Sequence, residues 1–122
     1  MRFIGRGEKV SKRAVAVTRA SRDALGVLAG QIKRARLERK WTQRELAGRV
    51  GVDARTIAAV EDASPSVAIG TAFNAAFTVG VNLFGLDGDE LALARRRGEE
   101  TLTLLPKHAR SPRTDQDADD NF

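Results

Sequence analysis

The sequence predicts an all-α protein of five helices, with a flexible N-terminal extension and a polar C-terminal tail. Three observations predict this class: apolar residues recur at helical spacing, glycines and prolines separate these segments, and capping residues stand at their starts. One short run, residues 101–105, alternates apolar and polar residues and fits a helix or a strand equally well. A chain of 122 residues is long enough for one domain with its own core.

The first helix follows a basic segment. Residues 1–20 hold no sustained apolar period, which predicts a flexible extension, although residues 11–18 also fit a helical turn or a short strand. Ser21 or Asp23 can cap the helix that follows. Its apolar positions are Leu25, Leu28, Ile32 and Ala35.

Two short helices are predicted next, at about 42–50 and 53–61. Thr42 can cap the first of them, and Glu45 three residues later completes a capping box. Gly51 supplies a left-handed stop, and Asp53 can cap the second helix. We expect Leu46, Ala47, Val50, Ile57 and Val60 on the buried sides. Two short helices joined by a glycine turn form the pattern of a helix-turn-helix DNA reader.

A fourth helix is predicted over residues 68–79 and a fifth over about 89–98, with a possible extension to Leu105. The apolar stripe of the fourth helix is Ile69, Ala72, Phe73, Ala76 and Phe77, and a hydrophobic elbow of Val81, Leu83 and Phe84 follows it. The predicted organisation is an extension at 1–20, a DNA-binding domain at 21–86, a contact helix or strand at 87–106 and a disordered acidic tail at 107–122.

Positive charge is concentrated in the first half of the chain. Residues 1–22 carry seven basic and one acidic side chain, and residues 23–61 carry eight and five. Residues 62–110 carry five and six, and residues 111–122 carry one and four. Positive charge therefore lies on and before the helix-turn-helix pattern, which favours a nucleic-acid partner.

The composition argues against several other classes of function. There is no cysteine, which excludes disulfides and thiolate metal sites and fits a cytoplasmic protein. No apolar run approaches the ~20 residues that cross a bilayer, so we expect no membrane association. The single histidine, His108, lies beside Pro106 in a polar segment, and no nucleophile stands with a base. We therefore expect no enzyme activity, no cofactor and no metal site.

The residues from Leu28 to Glu61 resemble the Cro/C1-type (XRE) helix-turn-helix domain. The matching positions are Leu28, Ile32, Arg36, Thr42, Gln43, Leu46, Ala47, Gly51, Val52, Thr56, Ile57 and Glu61. The resemblance covers about residues 28–84 and implies a five-helix Cro/C1-repressor-like fold. Arg36 and Glu61 match positions that pair across the first and third helices in this superfamily, so we interpret them as a structural pair.

This resemblance implies that the third helix enters the major groove with its first turn. The groove-facing candidates are Asp53, Ala54, Arg55 and Ala58, with Arg44 at the margin. Arg55 is the strongest candidate because a guanidinium can bond guanine O6 and N7 at once. The phosphate-binding candidates are Gln43, Thr56 and Lys33. We interpret Trp41 as a core plug between the first two helices.

A further resemblance lies beyond the motif. Residues 63–84 (ASPSVAIGTAFNAAFTVGVNLF), a charged helix, the string LLPK and an acidic tail ending in Phe122 resemble HipB-like antitoxins. This resemblance implies a homodimer on a palindromic operator of double-stranded DNA, and a complex that holds a HipA-like Ser/Thr kinase toxin inactive. The predicted dimer or partner contacts are Leu83, Phe84, Leu102, Leu104, Leu105 and Phe122. Phe73, Phe77 and Val81 are also assigned to this dimer surface, and the alternative, for Phe73 and Phe77 above all, is that they close the monomer core.

Other interpretations fit the same residues. The chain can be a stand-alone XRE repressor without a toxin, or an interaction module that keeps the helix-turn-helix shape without an operator. A kinase-like gene directly downstream separates the antitoxin from the stand-alone repressor. Steep salt dependence of promoter binding, with a clear preference over random DNA, excludes the interaction module. The acidic tail can be solvating disorder, a toxin-binding segment or a protease handle.

Overall fold

The computed structural model describes residues 16–109, and within that range it contains five α-helices and no β-strand. The helices are α1 (Arg19–Glu38), α2 (Gln43–Val50), α3 (Ala54–Glu61), α4 (Ile69–Val79) and α5 (Gly88–Thr103). The predicted all-α class is therefore confirmed. The chain divides into two compact units between Gly85 and Leu86, so that α1–α4 lie in one unit and α5 in the other.

The start of α1 differs from the prediction. Thr18 caps the helix: its backbone is extended, and its Oγ1 accepts the N–H of Ser21 at 3.0 Å. Ser21 and Asp23, the predicted caps, both lie inside α1. Thr18 carries the same type of capping hydroxyl, so the helix extends back to the earlier of two suitable residues.

The predicted ends of α2 and α3 are confirmed. Thr42 Oγ1 accepts the N–H of Glu45 at 3.0 Å, and Glu45 Oε1 accepts the N–H of Thr42 at 2.7 Å, which completes the capping box. Gly51 ends α2 with φ of 90°, where a residue with a Cβ is disfavoured. Asp53 caps α3 through the N–H of Thr56 at 2.9 Å.

The core of the first unit lies between all four of its helices. Ile32 of α1, Leu46 of α2 and Ile57 of α3 are fully buried. Around them, α2 packs against α3 and α4, and α1 packs against α3 and α4. Burying a side chain of this size contributes roughly 1.5–3 kcal/mol. The remaining core residues are Ala29, Ala47, Val60, Ala75, Ala76, Val79 and Leu83.

The predicted apolar stripe of α4 is wrong in part. Ile69 is 70% exposed and Phe77 is 47% exposed, so Phe77 does not close the core. The buried residues of α4 are Ala75, Ala76 and Val79. Because α4 is apolar on most of its circumference, spacing alone could not identify the face that packs inward.

The second unit contains α5. Asp87 caps this helix and forms a second capping box with Glu90. Residues 101–103 are helical, so a strand at 101–105 is wrong. Within residues 16–109 no helix combines the length and hydropathy that a membrane span requires. The predictions for residues 1–15 and 110–122, including Phe122, lie outside the described range, and the predicted domain boundaries stay predictions.

Candidate DNA-binding surface

The turn between α2 and α3 fixes how the second helix follows the first. The N–H groups of Gly51 and Val52 both donate to the carbonyl of Ala47, at 2.8 and 3.0 Å. These bonds satisfy the end of α2 and reverse the chain within three residues, up to the cap of α3. The buried Ile57 then holds α3 on the core, and the opposite side of α3 is left to solvent.

The side chain of Asp53 is hydrogen-bonded to Thr56 at the start of α3. Asp53 Oδ1 accepts both the backbone N–H and the hydroxyl of Thr56, each at 2.9 Å. These two hydrogen bonds hold the pKa of Asp53 below its usual value. Asp53 is therefore an ionised cap at the helix N-terminus, and its exposed carboxylate can still accept further hydrogen bonds.

Arg55 is the long polar side chain of this first turn. It is exposed, and within residues 16–109 it makes no hydrogen bond or ion pair. Ala54 and Ala58 are half-buried, and Ala54 packs against the core cluster. Small neighbours leave room for the Arg55 guanidinium to approach a flat surface such as a base edge.

A buried ion pair supports α3 from behind. Arg36 Nε donates to Glu61 Oε2 at 2.6 Å and Nη2 donates to Glu61 Oε1 at 2.9 Å, a bidentate geometry. Arg36 Nη1 donates to the carbonyl of Trp41 at 2.8 Å, and Gln43 Nε2 donates to Glu61 Oε1 at 3.1 Å. We call Arg36, Gln43 and Glu61 the brace. The predicted structural pair of Arg36 and Glu61 is confirmed.

The charges of the brace are mutually stabilised. Burial raises the pKa of Glu61, but hydrogen bonds from Arg36 and Gln43 more than offset it, so the pKa lies below its usual value. The hydrogen bond to Glu61 raises the pKa of Arg36. The side chains of Arg36 and Glu61 are 8% and 2% exposed, so this charged pair is held out of solvent. The brace joins α1, α2 and the end of α3.

The brace changes the interpretation of Gln43. The sequence suggested that this side chain binds phosphate, whereas the structure shows its amide bound to Glu61. Contact between Gln43 and DNA stays a prediction, now through the backbone N–H of this residue. The sequence signal for this bond was absent, because Gln43 and Glu61 are 18 residues apart.

Basic side chains lie beside the start of α2. Arg44 and Lys33 are both exposed, and Lys33 contributes to the low pKa of Glu61. Within the described residues the N–H groups of Gln43 and Arg44 donate to no protein acceptor. Free amides at a helix N-terminus beside a cation are a favourable arrangement for a phosphate.

Two arginine side chains stack on the ring of Trp41, a contact that the sequence did not indicate. The ring packs against the core cluster, as predicted for a core plug. The Arg49 guanidinium lies 4.1 Å from the ring centroid and that of Arg39 lies 5.2 Å from it. Arg39 Nε also donates to the carbonyl of Val79 at 3.0 Å. Cation–π contacts therefore hold two arginines on one aromatic ring near the start of α2.

The predicted contact residues divide into two groups. Leu83 is 8% exposed and belongs to the core, so its assignment as a dimer or partner contact is wrong. Phe84 is 77% exposed in a left-handed conformation, and its ring meets Phe73 edge-on at 6.2 Å. The leucines of the second unit remain candidates: Leu102 is 65%, Leu104 85% and Leu105 54% exposed.

A comparison with protein-family models agrees with this geometry. The model described as Helix-turn-helix matches residues 32–74, from the middle of α1 into α4. This segment is therefore similar to a helix-turn-helix domain. The match supports the Cro/C1-type (XRE) family and a sequence-specific DNA-binding regulator of transcription. Comparisons with curated proteins and with solved structures gave no match.

Proposed function

We propose that this helix-turn-helix protein represses transcription by binding a palindromic operator as a homodimer, with α3 in the major groove. The observation that carries the proposal is the exposed Arg55 in the first turn of α3. The brace holds this helix in place from its buried side. A helix whose orientation is fixed by a buried pair can present one guanidinium reproducibly to DNA.

The side chains at this surface match the separate tasks of DNA recognition. Arg55 suits a guanine, since it can donate to O6 and N7 together. Ala54 and Ala58 suit contact with a thymine methyl group, and Asp53 suits a cytosine amino group. The proposed phosphate contacts are Lys33, Gln43 and Arg44, and Thr56 joins them if its hydroxyl exchanges Asp53 for a phosphate oxygen. Phosphate contacts set the register, and Arg55 supplies most of the specificity.

A single α3 reads few base pairs, so specificity requires two copies. In a two-fold dimer the two α3 helices lie ~34 Å apart, or a multiple of that distance, to reach successive major grooves. The operator then has the same two-fold symmetry as the protein.

We further propose that the protein is a HipB-like antitoxin that binds a HipA-like kinase toxin. Support comes from the sequence resemblance of residues 63–84 and of the charged segment that follows. A stand-alone XRE repressor is the alternative. Purification of the tagged chain from its native cell, followed by mass spectrometry, separates the two. A kinase of the HipA type at a fixed ratio supports the antitoxin, and its absence when both genes are expressed contradicts it.

Fluorescence anisotropy with DNA from upstream of its own gene tests operator binding. We expect a preference over a scrambled duplex, and binding that weakens steeply between 50 and 200 mM salt, about 10³–10⁵-fold for a dimer with 6–10 phosphate contacts. Arg55→Ala is the test variant. Arg96→Ala, an exposed arginine on α5, is the matched control. Equal affinity of the wild-type protein for promoter and scrambled DNA would contradict the proposal.

A further inference from the structure

The stretch from Leu91 to Leu105, which begins in α5 and ends just past it, has apolar residues at both ends and opposite charges on the two sides of Gly98. Residues 91–105 read LALARRR, then Gly98, then EETLTLL. Apolar residues therefore stand at both ends, three arginines precede the glycine, and two glutamates follow it. In an antiparallel pair centred on Gly98, Arg96 and Arg97 therefore lie level with glutamates. The outer leucines lie level with leucines, whereas Leu93 and Arg95 lie level with threonines.

The same residues share one face of the helix. At 3.6 residues per turn, Leu91, Ala94, Gly98 and Leu102 fall within an arc of about 80°. Leu105 continues the spacing, because its N–H donates to the carbonyl of Leu102 at 3.1 Å. Steps of three and four residues are the spacing of a helix–helix seam. We call Leu91, Ala94, Gly98, Leu102 and Leu105 the α5 seam.

Gly98 stands at the centre of the seam at a cost to the helix. A glycine inside a helix is roughly 1 kcal/mol less favourable than alanine. A Cβ atom placed on Gly98 would meet nothing within 4 Å, so packing inside the described chain does not require a glycine here. A close approach by another backbone is a physical reason for a glycine at such a position.

We propose that two copies of the chain pair antiparallel along the α5 seam, with the two-fold axis at Gly98. This arrangement places Leu91 opposite the partner's Leu105, and Ala94 opposite the partner's Leu102. A small residue then faces a large one on each side of the axis, glycine meets glycine at the axis, and leucine meets leucine at the two outer layers. A parallel pair would set Ala94 against its own copy and leave a gap beside two facing leucines.

The charges beside the seam agree with the antiparallel direction. Arg95 and Glu99 lie on the same flank, where they form an exposed pair at 2.7 Å. A two-fold antiparallel pair brings like flanks together, so Arg95 meets the partner's Glu99 and Glu99 meets the partner's Arg95. Exposed pairs of this kind add little affinity, but they select the orientation of the helices. The inference specifies the homodimer on which the proposed function depends.

Cysteine cross-linking tests the geometry cleanly because the chain has no cysteine. Mild oxidation of Gly98→Cys should give a covalent dimer, since the two copies meet at the axis within disulfide range. Leu91→Cys alone should not cross-link, because its two copies lie ~21 Å apart in this arrangement. A mixture of Leu91→Cys with Leu105→Cys should cross-link. Arg96→Cys, on the opposite face of α5, is the control and should remain monomeric on a non-reducing gel.

The pattern of products decides the outcome. Self-linking of Leu91→Cys would show a parallel pair and overturn the proposal. The absence of cross-linking in Gly98→Cys would also overturn it. If sedimentation then still shows a dimer and promoter DNA is still bound, only the proposed interface fails and the proposed function stands.

Sedimentation equilibrium adds a measurement that does not depend on thiol chemistry. Gly98→Leu should weaken dimerisation by about tenfold or more, because a bulky side chain at the axis separates the helices. Arg96→Leu adds the same side chain on the opposite face and should leave the dissociation constant within about twofold. Circular dichroism should show that both variants remain helical. An unchanged dissociation constant for Gly98→Leu, or an equal loss in both variants, contradicts the proposal.

Discussion

Glu61→Ala removes the acceptor at the centre of the brace. Three hydrogen bonds are lost, two from Arg36 and one from Gln43. The Arg36 side chain is 8% exposed, so a guanidinium is left without its counter-ion inside the protein, although the Trp41 carbonyl still accepts one of its N–H groups. Removal of one partner from a buried pair costs about 3–5 kcal/mol. That cost is a large part of the 5–15 kcal/mol that typically stabilises a domain.

Urea denaturation followed by tryptophan fluorescence measures the loss of unfolding free energy in the compact unit that contains α1–α4. Trp41 is the single tryptophan and lies in the unit that contains the brace, so its emission reports the unfolding of α1–α4. The matched control is Glu38→Ala, which breaks the Arg34–Glu38 pair, whose side chains are 82% and 65% exposed. We expect the control to lower the free energy of unfolding by at most about 0.5 kcal/mol.

A double variant completes the experiment. Arg36→Met combined with Glu61→Leu removes both charges together, and replacing a buried ion pair by apolar residues is often neutral or stabilising. The double variant should therefore recover most of the stability that Glu61→Ala loses. The reasoning is refuted if Glu61→Ala costs no more than Glu38→Ala, because the pair would then contribute no more than a surface contact.

Three further predictions follow from the site. Arg55→Ala should weaken promoter binding by about 1–3 kcal/mol and relax base preference at one position per half-site; equal loss on promoter and random DNA in anisotropy contradicts direct readout. Thr42→Ala should lower the free energy of unfolding by about 0.5–2 kcal/mol through the lost cap; an unchanged melting temperature contradicts it. Because the pKa of Glu61 lies below its usual 4.5, its contribution to stability is complete above that pH and is lost as the pH falls through the folded-state pKa. Urea midpoints between pH 3 and 6 should fall less steeply in Glu61→Gln than in the wild-type protein.

Local signals in the sequence were sufficient for the helix-turn-helix itself. The capping box of Thr42 and Glu45, the left-handed Gly51 and the Asp53 cap each depend on neighbours within a few residues, and the structure contains all of them. The pairing of Arg36 with Glu61 is long-range, and it was predicted only through the resemblance to a known domain. The bond from Gln43 to Glu61 had no local signal and was missed.

The remaining differences have physical causes. An alanine-rich helix such as α4 is apolar on most faces, so periodicity could not show that Phe77 faces solvent and Val79 faces the core. Leu83 and Phe84 are adjacent apolar residues in an elbow, yet one is buried and the other exposed, and the left-handed backbone of Phe84 has no signal in the sequence. Thr18 and Ser21 both carry a capping hydroxyl, and general preference favours serine, so capping preference alone does not identify Thr18 as the cap.

The separation of the brace from Arg55 bears on how such a protein can evolve. The residues that hold α3 in place are internal, whereas Arg55 has no partner among residues 16–109. If Arg55 reads a base as proposed, substitutions at position 55 should alter the preferred base at little cost to folding. Single substitutions would then be enough to change the preferred operator while the scaffold stays the same.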